Sequence, residues 1–321
     1  MKRILNSVVA AAALALGAWG APASAEYPEK PIRLIVPFAQ GGATDTVGRM
    51  IATPLEQKLG QPVIVVNQPG AGGAVGIANM VQARPDGYTL AVGANDSISA
   101  RPLMTESGYT IDDIEPIAMV ADGPIGIAVR SDSPYQTIDD LIAAMKAGTV
   151  NWSSPGAGTG PHLATEAFLD KAGIEAAHVN SASAKEALLK VLSGEVVFVA
   201  ATGSNFPSMI SESSGGIRAL ALMAEERWDR LPDVPTFREQ GHDMIATQWF
   251  GLVAPKGTPK EVIDVLAEEV RVILDSAEAD ELLAKFHFSG AYLPPAEFGD
   301  KMRQEAEALK PVLEKIGMAK K

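Results

Sequence analysis

The chain has 321 residues with 27 basic against 39 acidic side chains, a formal net charge of −12, and no cysteine. The acid excess argues against nucleic acid or an anionic membrane surface as a partner, and the lack of thiols excludes disulfides, thiol catalysis, cysteine-bound zinc and a lipid on an N-terminal cysteine. Stability must come from core burial, for which a chain of this length with 47% hydrophobic residues is sufficient, and the length suits two domains.

Met1, Lys2 and Arg3 precede an apolar stretch from Val8 to Trp19 and a small-residue site at Ala23-Ser24-Ala25, the pattern of a secretory signal cleaved after Ala25. The apolar stretch is shorter than the ~20 residues of a spanning helix. The expectation is therefore a protein free in the periplasm, without stable membrane insertion.

Beyond it, β-branched runs alternate with helical patterns. Ile32 to Val36 reads as a strand, followed by a helix from about Asp45 to Leu59, a strand at Val63 to Val66, a helix from about Ala74 to Gln82 and a strand at Tyr88 to Val92. This is the βαβ rhythm of a mainly parallel sheet. The rhythm resumes at Ile125 to Val129, Val150 to Ser153, Ala177 to Val179, Val196 to Ala200 and Ile217 to Leu222, which predicts a second α/β lobe. Asp122-Gly123-Pro124 reads as the crossing between lobes. After Trp249 to Ala254 the pattern is helical, with Val262, Leu266, Val270, Ile273 and Ala277 on one face and Phe298, Met302, Ala306, Leu309 and Leu313 on another. Thr258-Pro259 predicts an N-cap and a first-turn proline, and Pro311 predicts a kink in the last helix.

Three glycine-rich stretches each stand between a strand and a helix: residues 40–45 (Gln40, Gly41, Gly42, Ala43, Thr44, Asp45), 69–73 and 155–160. The dinucleotide fingerprint fails on spacing, since Val75 and Pro161 occupy the third glycine positions, and no phosphate-cradling G-x-x-x-x-G-K segment exists. No cofactor is implied. Backbone amides at glycine turns and helix N-termini can instead hold a carboxylate and supply local positive potential in an acidic molecule. Tight turning alone would also explain the glycines, most of all at 69–73. His162, His178, His242 and His287 show no zinc-type clustering, and His162 with Glu166 makes an incomplete ligand set, so no metal is expected. No nucleophile elbow or H-E-x-x-H segment is present, and no catalytic residue is assigned.

The run from Tyr27 through Pro37-Phe38-Ala39-Gln40-Gly41-Gly42-Ala43-Thr44-Asp45 resembles the opening signature of the tripartite tricarboxylate transporter receptors, the TctC or Bug family. The likeness continues through Asn67-Gln68-Pro69-Gly70-Ala71-Gly72-Gly73, Arg84-Pro85-Asp86-Gly87-Tyr88-Thr89-Leu90, Gly158-Thr159-Gly160-Pro161-His162-Leu163, Leu231-Pro232-Asp233-Val234-Pro235-Thr236 and Trp249-Phe250-Gly251-Leu252-Val253-Ala254-Pro255-Lys256-Gly257-Thr258-Pro259.

The resemblance implies an α/β type II periplasmic-binding-protein fold, two α/β lobes joined by a two-crossing hinge with a central ligand cleft. Lobe 1 would comprise residues 26–123 and 247–321, lobe 2 residues 124–246. It implies a small carboxylate ligand held by Phe38, Gln40, Gly41, Gly42, Thr44 and Asp45 after the first strand, by Asn95 and Ser97 after the third, and by Gly158, Thr159, Gly160 and His162 in the second lobe. Ser181, Ser183 and Asn205 would meet the ligand's far end. Val179-Asn180-Ser181-Ala182-Ser183 departs from the family's V-P-Y-K-G, and Val197 stands where an aspartate is common, which widens that wall and removes a cation. The implied role is a monomeric receptor that passes its solute to the membrane subunits of a tripartite tricarboxylate-type transporter. The alternatives are a ligand-sensing partner of a membrane signalling receptor and a periplasmic hydrolase working through cleft carboxylates.

Overall fold

The computed structural model describes residues 27–148, 150–210 and 215–320; the expected signal segment lies outside them. β1 (Ile32–Val36), α1 (Ala43–Leu59), β2 (Val63–Asn67), α2 (Ala74–Val81) and β3 (Thr89–Ala94) form two successive βαβ units in which β1 pairs in parallel with both β2 and β3. A π-helical turn at Asp96–Ala100 leads into the short α3 (Arg101–Met104). β4 (Ile114–Arg130) is a single 17-residue strand.

The second set follows as α4 (Ile138–Ala147), β5 (Asn151–Ser154), α5 (Gly160–Ala172), β6 (Ala177–Asn180), α6 (Ala184–Ser193), β7 (Phe198–Thr202) and β8 (Ile217–Leu222). β9 (Thr247–Pro255), α7 (Lys260–Leu274), α8 (Ala277–Lys285), β10 (Ser289–Leu293) and α9 (Pro295–Lys315) complete the chain. The strands run in the order β2-β1-β3-β9-β4-β7-β5-β6, with β8 and β10 also on β4.

The sheet is mixed rather than mainly parallel. β1–β2, β1–β3, β5–β6 and β5–β7 are parallel, whereas every pairing of β4 and the β3–β9 pairing are antiparallel. β4 is the spine: Ile114 to Pro124 pairs with β9, and Ile125 onward pairs with β7 and β8. Asp122–Pro124, expected as the crossing between lobes, is interior strand, at the point where the partners of β4 change from β9 to β7 and β8. Its register shifts at Pro116/Ala118 and Met119/Ala121 show how the strand takes in a proline, since a bulge relieves the missing donor.

Burial follows the sequence periodicity. Val262, Leu266, Val270 and Ile273 of α7 pack with Leu34, Val92 and Leu252 in one core, while Phe168 and Leu169 of α5 pack with fully buried Trp152 and Phe198 in another. A third cluster, Ala100, Leu163 and Leu313, joins the two halves through α5 and α9. The helix cap at α7 differs from expectation: Pro259 is the N-cap, because the Thr258 hydroxyl is committed to the Pro255 carbonyl at 2.8 Å. Ala277 opens α8 instead of closing α7. α9 continues through exposed Pro311 to Lys315.

Candidate functional site

The loop after β1 ends in exposed Gln40, Gly41 and Gly42 at the N-terminus of α1. Gly41 takes φ +84, a left-handed conformation that glycine adopts without strain. Gly42 is the N-cap and offers no side chain to the helix. The buried carboxylate of Asp45 holds the loop from within: it accepts from the Gly41 amide at 2.9 Å, Arg49 Nε at 3.0 Å and Asn67 Nδ2 at 2.8 Å. Burial alone would raise the Asp45 pKa, but these hydrogen bonds outweigh it and hold the carboxyl below its ordinary range. The Gly41 amide is thus spent inside the protein. Among the described residues, no hydrogen-bond acceptor meets the amides of Ala43, Thr44 and Asp45. They are the orphan donors of a 17-residue helix, at the positive end of its dipole.

Beside this loop the ring of half-buried Phe38 lies against Gly73, which also abuts Ser97. Ser97 itself is fully committed: its hydroxyl bonds the amide and carbonyl of Ala94, each at 3.0 Å, and its carbonyl accepts from Tyr109 Oη. Next to Gly73, Gly72 faces the guanidinium of Arg101. Arg101 Nε is buried with no hydrogen-bond partner, and among the described residues no carboxylate stands within ion-pairing distance of it. Sequence reasoning passed over this cation because its position, seven residues beyond β3, carries no motif.

The second glycine-rich loop is built differently. Ala157 donates to Asn180 Oδ1 at 2.8 Å and Gly158 to His162 Nδ1 at 3.3 Å. A Cβ on Gly158 would run into the end of the Met104 side chain, so the first half of the sheet covers this loop directly. Thr159 bonds back to the Gly156 carbonyl at 2.8 Å. Gly160 sits against the side chains of Gln248 and Asn95. His162 is buried and stacked on Trp152; burial, and then the neighbouring His178, push its pKa down to about 4. Its Nε2 stands 3.8 Å from Glu166 Oε1, and the ring is neutral at pH 7. No grouping of three or more metal-type ligands occurs among the described residues.

Of the remaining expected contacts, Ser181 is buried and bonded to Ser153 Oγ at 2.9 Å, Ser183 caps α6 through the Glu186 amide at 3.2 Å, and Asn205 donates to the Thr202 carbonyl at 3.1 Å. Asn95 faces the interior, donating to Thr247 O at 3.2 Å and Glu305 Oε1 at 2.9 Å. It lines a cavity of about 410 Å³ together with Gly160, Asp96, Lys301 and Glu305. The structure therefore joins Phe38 with the 69–73 turn and Ser97, and Asn95 with Gly160. Ser181, Ser183 and Asn205 keep bonds within their own half.

A family model described as the tripartite tricarboxylate transporter family receptor, TctC, matches residues 47–318. The chain belongs to this receptor family. It is 35% identical to the UPF0065 protein in the gbd 5' region of Cupriavidus necator, over 99% of this chain and 98% of that one. The fold matches a TctC solute-binding protein from Polaromonas with TM-score 0.79 and 34% identity, covering 90% of this chain and 99% of the other. Two further TctC-like neighbours carry acids: MatC from Rhodopseudomonas palustris has bound malate (TM-score 0.75, 27% identity, 89% and 100% covered), and another R. palustris protein has adipate (TM-score 0.79, 26% identity, 92% and 99% covered). The mixed α/β fold is that of periplasmic solute-binding proteins of the TctC type, and the family is one of solute-binding receptors.

Proposed function

We propose that this TctC receptor resides in the periplasm, captures a small carboxylate without chemical conversion, and delivers it to the membrane subunits of a tripartite tricarboxylate-type transporter. The observation that carries the reading is the set of three partnerless amides of Ala43, Thr44 and Asp45 at a helix N-terminus that is exposed through Ala43 and buried from Thr44 on. A carboxylate oxygen is the acceptor such an end lacks, and the malate and adipate held by two relatives are of that class. Arg101, beside Gly72, supplies a positive charge with no carboxylate within 4 Å among the described residues, whereas the other cation at the loop, Arg49, is paired with Asp45. Asp45 and Ser97, bonded inside the protein, act as scaffold for the loop.

In this reading residues 26–123 with 247–321 and residues 124–246 act as lobes that pivot on β4 and β9. A ligand touching both lobes only when they are together shifts the population toward closure. A thermal-shift panel of dicarboxylates, tricarboxylates, aromatic acids, amino acids and neutral sugars tests it, since a ligand that binds only the native state raises the melting temperature. At a hundred times the dissociation constant, an acid of the right length should add about 2.7 kcal/mol of stability. A shift with a neutral sugar and none with any acid would overturn the assignment.

A further inference from the structure

The cavity of about 410 Å³ between α5, α9 and the strand-entry segment at Met244–Thr247 is not lined by any residue of 38–45. Its volume is in the range of small-molecule pockets, and its make-up follows their pattern, a mainly apolar wall with a few convergent polar groups. Leu163 and Ala167 of α5 and Leu309 and Val312 of α9 line it. Asp96, Lys301 and Glu305 are its charged groups.

These charges act on one another only at longer range, Lys301 attracting Glu305 while the neighbouring Arg101 attracts Asp96. Among the described residues no carboxylate lies within 4 Å of the Lys301 ammonium, and neither Asp96 nor Glu305 meets a cation at that distance. Glu305 accepts one hydrogen bond on each oxygen, from Asn95 at 2.9 Å and Trp249 at 2.6 Å, so each keeps an acceptor site. Asp96 accepts from its neighbour's amide, Ser97 N, at 2.8 Å. Two carboxylates and one lysine around one apolar chamber leave room for one cationic and one anionic group on the same guest, because desolvated charges need partners.

We propose that this cavity is a second binding pocket, for a zwitterion with an apolar side chain of the α-amino-acid type. The ammonium lies against Asp96 and Glu305, the carboxylate meets Lys301, and the side chain fills the space between Leu163, Ala167, Leu309 and Val312. Because α5 and α9 come from different halves of the sheet, a guest here also bridges them. Raised carboxyl pKa values at Asp96, to about 6, and at Glu305 are both caused first by burial, and they mark groups that gain from an incoming cation.

Calorimetric titration of the mature protein with leucine, methionine, 4-methylpentanoate and isopentylamine tests the proposal. The two amino acids should bind, with the acid and the amine each about tenfold weaker or more, since each lacks one of the two charged partners. Lys301→Met should weaken leucine about tenfold and leave isopentylamine unchanged. Ala308→Phe, which fills the chamber, should abolish leucine binding while the melt and the response to dicarboxylates persist; where that variant does not fold, Lys301→Met and the analogue series decide. Gly42→Asp, altering the α1 loop, should leave leucine binding intact. No heat with either amino acid, an unchanged leucine affinity in Lys301→Met, or loss of leucine binding in Gly42→Asp would each overturn it.

Discussion

Two loops of nearly the same composition open α1 and α5, and they have opposite fates. The Gly41–Gly42 loop is exposed, is tied down from below by Asp45, and leaves three helix amides without acceptors. The Gly156–Gly160 loop gives its amides to Asn180 and His162 and is covered by Met104 and Met318 from outside its own half. Glycine in the first loop leaves donors open to a guest; glycine in the second makes space for a neighbour. The lesson is that a glycine-rich strand-to-helix turn identifies a place where backbone comes close to something, and only the three-dimensional neighbours say whether that something is a ligand.

The contrast can be broken most forcefully at Gly158. Gly158→Val sets a side chain into Met104 and onto a φ of +78, so we expect a loss of about 2–4 kcal/mol, read by urea denaturation. Stability unchanged within about 0.5 kcal/mol would mean that the second loop is as open as the first.

The next effect is in pH. His162 accepts the Gly158 amide and has its folded pKa depressed to about 4, below the ~6.5 of an unfolded histidine. The unfolded chain therefore binds the proton first: this contribution to stability is complete above about pH 6.5 and is lost as pH falls toward 4, at up to about 1.4 kcal/mol per pH unit. His162→Gln should flatten the stability profile in that window. A slope unchanged by the substitution would remove His162 from the joint.

Arg101 sharpens the other side. Arg101→Met should weaken dicarboxylate binding about tenfold, equivalent to about 1.4 kcal/mol, without lowering the melting temperature of the free protein. The smallest effect is expected at Gly42, whose φ of −82 and ψ of 173 already suit a capping side chain. Gly42→Asp should cap α1 from within, raise stability by about 0.3 kcal/mol and compete with the ligand acid.

Much of the fold was legible because burial imposes periodicity: Ile217–Leu222 and the α7 face Val262, Leu266, Val270 and Ile273 follow the strand and helix patterns read from sequence. The first part of β4 was not, since Pro116 and Asp122-Gly123-Pro124 carry local turn signals that pairing with β9 overrides, with β10 adding partners at Met119, Ala121 and Asp122. β10 was missed for a related reason, a short half-buried strand with Gly290 in it. For the site, the loop at residues 40–45 was visible as a motif, whereas Arg101, Lys301 and Glu305 gain their meaning from contacts across the chain, such as Asn95 with Glu305 at a separation of 210 residues. The polar atoms of His162, Ser181 and Ser183, read from sequence as ligand contacts, are engaged with Gly158, Ser153 and Glu186.

The most direct measurement is an amide-resolved NMR titration of the mature protein with the dicarboxylate that gives the largest thermal shift. Resonances of Ala43, Thr44 and Asp45 should move downfield together and saturate with the calorimetric affinity, as donors that acquire an acceptor. Perturbations confined to Gly158 and Gly160, with those three amides still, would contradict the account.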